Sequence, residues 1–181
     1  MDNSKRKKPY SQLNYSDKIL KNWRKTRRLF RRREFSVSIL RASITMELAA
    51  NLVIEAELVH KKSLPREFAN HLMIWANGLR GKFEKLIYPI LREDPAFSQI
   101  RSSIDKVWRR VNKQRNSVAH SGAFKKRKTA FAAINDAHFV ITQLVSPYDS
   151  SFNIEKLDKT DRDLAAKRKN GRNANYAETR R

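Results

Sequence analysis

Residues 34–59 read EFSVSILRASITMELAANLVIEAELV, and the spacing of their apolar side chains decides the fold. Val37, Leu40, Ile44, Leu48 and Leu52 form one stripe at helical spacing. Ile39, Met46, Ala50 and Val53 form a second stripe on the opposite side. A helix that is apolar on two sides is central in a bundle or shared with a partner.

The neighbouring segments follow the same period. His60–Leu64 reads as a loop, and Pro65 suits the first turn of the next helix. That helix pauses at the turn-type dipeptide Asn77–Gly78. It resumes through Phe83, Leu86, Ile87, Ile90 and Leu91 and stops before Pro95. Ile100, Ile104, Val107, Trp108 and Val111 predict a helix over 97–119, ended by Ser121–Gly122. Phe131, Ile134, Ala137, His138, Ile141 and Leu144 predict a last helix over 128–145. Towards the N-terminus, Ser16 or Asp17 is expected to cap a basic helix running to Arg33. Its sparse apolar positions are Ile19, Leu20, Trp23, Leu29 and Phe30. Residues 1–15 are polar and expected to be disordered. The mixed-charge tail after Pro147 is expected to be largely unfolded. The predicted fold is all-α, an antiparallel bundle of four to five helices. It divides into a basic N-terminal arm or helix (1–33), a bundle (34–146) and a polar tail (147–181).

Composition agrees and narrows the function. With 4 Gly and 5 Pro in 181 residues, the chain lacks the turns of a β-sandwich or barrel. Zero Cys excludes disulfides, thiolate metal sites and cysteine nucleophiles. The four histidines (His60, His71, His120, His138) are scattered, so neither a metal nor a cofactor is expected. No run of side chains reads as a membrane span or signal peptide, which implies a cytoplasmic protein, or a nuclear one. Net charge is +22, and self-repulsion on that scale calls for a polyanionic partner such as RNA. Residues 1–33 alone carry 13 basic and 2 acidic side chains, half of the excess. Arg24, Arg27, Arg28, Arg31, Arg32 and Arg33 are the expected nucleic-acid contacts there, with Lys21 and Lys25. Tyr15, Trp23 and Phe30 are interleaved with them, to stack on bases or to dock the helix on the core. Lys125, Lys126, Arg127 and Lys128 form a second basic cluster.

One segment carries chemistry: Lys113-Gln-Arg-Asn-Ser-Val-Ala-His-Ser-Gly122. It gathers Arg115, Asn116, Ser117 and His120 at a predicted helix end. His120 is the residue type suited to acid–base work near neutrality. Arg115 can hold a phosphate bidentately. Asn116 and His120 are i and i+4 and share a face. Arg115 and His120 lie about 140° apart on an ideal helix of ~3.6 residues per turn, so the Arg side chain must reach round. The same residues also suit a plain helix C-terminus, where cations favour the macrodipole and Gly caps.

Arg115–His120 (RNSVAH) resembles the R-x4-6-H signature of HEPN domains, in which a polar residue, often Asn, follows the Arg. The resemblance covers about residues 35–146. It includes the long helix with a mid-helix acid (Leu40–Leu48) and the Gly-containing segment Leu79–Leu86. In many relatives Gly directly follows the His, whereas Ser121 intervenes here. The resemblance implies a metal-independent endoribonuclease, toxin-like or defence-like, cleaving RNA through attack of the 2′-hydroxyl. Arg115, Asn116 and His120 would be the catalytic residues. It further implies a C2 homodimer that brings two motifs together, and possible partners in an antitoxin or a nucleotidyltransferase. Glu47 and Ser117 are expected to support the site, with Glu47 or Glu55 salt-bridging Arg115 or some other Arg. A non-catalytic RNA-binding or ribosome-associated protein, or a partner subunit of a nucleotidyltransferase, explains the charge equally well.

Overall fold

The computed structural model describes residues 8–157, which are helices joined by short turns, with no strand among them. Tyr10–Gln12 form a single 3₁₀ turn ahead of α1 (Tyr15–Arg31). α2 (Phe35–Glu55) runs on into a wider π-helical segment, Ala56–Lys61. α3 spans Arg66–Trp75. The short helices α4 (Gly78–Gly81) and α5 (Tyr88–Ile90) flank a second π segment, Lys82–Ile87. α6 (Pro95–Ser121) and α7 (Arg127–Val145) complete the bundle.

α2 is the central helix and packs against α1, α6, α7 and the 82–87 segment. Its two stripes have different fates. Ile39, Met46, Ala50 and Val53 are fully buried, whereas Val37 and Ile44 remain 46% and 42% exposed. Leu40, Leu48 and Leu52 are half-buried between them. By length and composition alone Phe35–Lys61 would cross a membrane, and more than half of that window is buried inside the bundle.

Ends and turns follow from local chemistry. Asn14, not Ser16 or Asp17, caps α1: its side chain accepts from the Asp17 amide at 2.8 Å. Asp17 sits in the first turn, where a carboxylate favours the helix dipole. Arg33 turns the chain from α1 into α2 in the left-handed region, at φ 67. Asp94 accepts from the Phe97 amide at 3.0 Å and Pro95 opens α6. A Cβ on Gly81 would lie 2.8 Å from the Ala76 carbonyl carbon, so this position needs glycine to let α4 approach the end of α3. Trp108 of α6 stacks on Phe83 at 5.0 Å and donates to Tyr88 Oη at 2.7 Å. Arg110 pairs with Asp136 of α7 through two 2.9 Å contacts.

At the two ends more of the chain is docked than its polarity suggests. Of the two alternatives for the N-terminal segment, arm or helix, the structure shows the helix, with Ile19, Trp23 and Phe30 buried in the core. Residues 8–15 are ordered as well: Tyr10 Oη accepts from Asn22 Nδ2 at 2.7 Å. The tail is docked as far as Leu157. Ile154 and Leu157 are buried, Trp23 Nε1 donates to the Glu155 carbonyl at 2.8 Å, and Glu155 pairs with Arg27. Tyr148 and Phe152 pack against the core beside them, so the first part of the tail is docked. Residues 1–7 and 158–181 lie outside the described residues.

Candidate functional site

The motif occupies the last two turns of α6, at the pole where α1 ends and where α2 and α7 begin. Gly122, at φ 60, stops α6 in the left-handed conformation. The chain after it is fastened to two elements. The Ala123 amide donates to the Ser117 carbonyl at 3.2 Å. Ser36 Oγ, at the start of α2, donates to the Ala123 carbonyl at 3.3 Å and accepts from the Lys125 amide at 2.9 Å. Lys125 Nζ donates to Ser117 Oγ at 2.8 Å.

Arg115 does reach round the helix. Its Nη1 lies 3.0 Å from Asn116 Oδ1 and 3.2 Å from His120 Nε2. A guanidinium only donates, so His120 Nε2 is the acceptor in this arrangement and carries its lone pair. Asn116 and His120 are exposed and Arg115 is half-buried, so the trio lies open on the surface. A phosphate could reach all three together.

Arg115 also interacts electrostatically with Glu47, which is coupled in turn to Lys82, a residue that the sequence reading left out. Glu47 of α2 is half-buried and makes no direct ion pair among the described residues. Burial pushes its carboxyl above the ordinary value, and the charges of Lys82 and Arg115 pull it back. Lys82, 6% exposed, donates to the Met73 carbonyl at 2.9 Å, and burial lowers its pKa while Glu47 raises it. The signal for Lys82 was present: it falls between Leu79 and Leu86 on an otherwise apolar face. Glu55 does not approach Arg115. It pairs with Arg66 and lies 3.9 Å from His60.

The basic residues divide. Arg24, Arg28 and Arg32 are exposed along α1 with Lys21 and Lys25, although Arg32 pairs with Glu34 at 2.8 Å. Arg27 is engaged by Glu155 with its side chain 15% exposed. Arg31 and Arg33 are half-buried, and Arg33 Nε is buried without a hydrogen-bond partner. Lys126, Arg127 and Lys128 are exposed, whereas Lys125 is committed to Ser117. Trp23 and Phe30 are core residues rather than stacking surfaces. Sequence reasoning also missed Ser36 and Phe124, the latter 98% exposed between the motif and the basic cluster.

A cavity of about 630 Å³ lies at the opposite pole, lined by Tyr15, Glu55, His60, Arg66 and Tyr148 among others, and none of the motif residues reaches it. Among the described residues no group of three metal-ligating side chains gathers. No protein-family model, curated protein or solved structure matches this chain.

Proposed function

We propose that this protein is a metal-independent endoribonuclease of the HEPN type, with Arg115, Asn116 and His120 as its catalytic residues. The observation that carries the reading is the Arg115 guanidinium held between Asn116 Oδ1 and His120 Nε2, at 3.0 and 3.2 Å, on an exposed helix end.

An incoming phosphodiester takes the guanidinium by charge-assisted bonds and displaces the His120 contact. That frees the Nε2 lone pair to accept the proton of the RNA 2′-hydroxyl. The 2′-oxygen bonds to phosphorus, the bond to the 5′-oxygen breaks, and the leaving oxygen needs a proton. A second copy of the chain supplies that proton from its own His120, which enters the step as the imidazolium while the first His120 enters neutral. Arg115 stabilises the charge that develops on the phosphorane oxygens. The half-exposed Val37 and Ile44 of α2 offer an apolar face for that pairing.

A non-catalytic reading draws on the exposed row Lys21, Arg24, Lys25 and Arg28, which binds RNA phosphates whether or not the motif reacts. Cleavage rates of wild type, Arg115→Ala, Asn116→Ala and His120→Ala separate the two. Losses on the order of 10²–10⁴ for Arg115→Ala and His120→Ala are expected. Undiminished cleavage by both, or no cleavage by wild type with unchanged RNA binding in all four, leaves the basic surface as the function.

A further inference from the structure

We propose that Phe124 is a base-stacking residue that holds single-stranded RNA across the Arg115–His120 end of the bundle. The proposal rests on the RNA reading above and deepens it by naming the form of RNA.

Phe124 is 98% exposed, far beyond Ile74 at 70% and Trp75 at 60%. A phenyl ring left in water forgoes the burial that stabilises a core Phe, so the fold gains nothing from it. Its backbone is nevertheless held on both sides. Ser36 Oγ binds the Ala123 carbonyl at 3.3 Å and the Lys125 amide at 2.9 Å, and the Ala123 amide is tied to the Ser117 carbonyl at 3.2 Å. The ring is therefore displayed from a pinned turn, and a ligand stacking on it pays little ordering entropy.

Its surroundings select the ligand. No Asp or Glu occurs between Asp105 and Asp136, while Lys126, Arg127 and Lys128 are exposed beside the ring. A polyanion that also offers flat apolar faces satisfies both features, and single-stranded nucleic acid is such a polymer. In a duplex those faces are stacked on one another, leaving only the phosphates for the cations.

The experiment measures binding alone, in the His120→Ala background, so that cleavage plays no part. A short single-stranded oligoribonucleotide carrying 2-aminopurine and a duplex of equal charge are titrated into Phe124, Phe124→Ala and Phe124→Trp proteins. Phe124→Ala is expected to weaken single-strand binding on the order of tenfold and to abolish quenching of the 2-aminopurine. Phe124→Trp is expected to restore both, with duplex affinity and sedimentation unchanged throughout. Equal losses on both oligonucleotides, or none, overturn the proposal. So does dissociation of a dimer by Phe124→Ala, or loss of binding to anionic vesicles with single-strand affinity intact. A protein that never cuts RNA still passes or fails this test, so the nuclease reading and the stacking reading fall separately.

Discussion

Replacing Gly81 with Ala sets two effects of opposite sign against each other. The added Cβ meets the Ala76 carbonyl carbon at 2.8 Å, its oxygen at 2.9 Å and its Cα at 3.2 Å. All three are backbone atoms, so relief requires the end of α3 and the start of the 82–87 segment to move apart. Overpacking against backbone atoms, which cannot rotate away, falls in the upper part of the usual range, about 2–3 kcal/mol. Ala is favoured over Gly inside a helix by about 1 kcal/mol, which offsets part of that. The expected net loss is about 1–2 kcal/mol, or roughly 2–8 °C in Tm for a chain of this size. Urea unfolding followed by circular dichroism reads it, with Gly122→Ala as the contrasting case. Gly122 has nothing within 4 Å of an added Cβ, so its cost comes from φ 60 alone, about 1 kcal/mol. A Gly81→Ala protein as stable as wild type would refute the close approach of α4 to α3, and with it the burial of Lys82 against Met73.

Tyr88→Phe removes the acceptor of the buried Trp108 indole N–H and is expected to cost about 1–3 kcal/mol by urea unfolding; an unchanged midpoint contradicts the Tyr88–Trp108 contact. Burial holds the His138 pKa below its ordinary 6.5, with Nε2 donating to the Ile154 carbonyl at 2.9 Å. The unfolded chain therefore binds more protons just below that value, and stability falls as pH drops below about 6.5. Urea midpoints at about pH 7.5 and about pH 5.5 should separate more for wild type than for His138→Gln; equal separation contradicts the docked tail. Joint replacement of Lys126, Arg127 and Lys128 by Ala is expected to reduce the slope of log affinity for single-stranded RNA against log salt by up to roughly 2, at about 0.7 per lost phosphate contact. A slope unchanged by the triple replacement places the RNA elsewhere.

The helices were legible because each buries a stripe at regular spacing, and the breakers mark the boundaries: Asn77–Gly78 and Pro95 open α4 and α6, and Gly122 ends α6. What the periodicity could not tell was which stripe of α2 is enclosed. Ile39–Val53 and Val37–Leu52 look alike in sequence, and only the placement of α1, α6 and α7 separates them. The docked tail was invisible for a related reason: Phe152, Ile154 and Leu157 are spaced without a helical period among polar neighbours, and their burial depends on contacts with residues distant in sequence, such as Trp23 and His138. Arg115, Asn116 and His120 were readable as a motif, and their convergence needed only side-chain reach along one helix. Lys82, Ser36 and Phe124 belong to other segments of the chain. Their relation to the motif exists only once α2, α6 and the 82–87 segment are assembled.

The nuclease reading is tested most directly by the chemistry of its products: end-labelled RNA incubated in EDTA with wild type, Arg115→Ala and His120→Ala protein, and the new ends identified. The account predicts fragments from wild type alone, ending in 2′,3′-cyclic phosphate. Fragments ending in 3′-hydroxyl, cleavage that requires added divalent metal, or equal cleavage by all three proteins would contradict it.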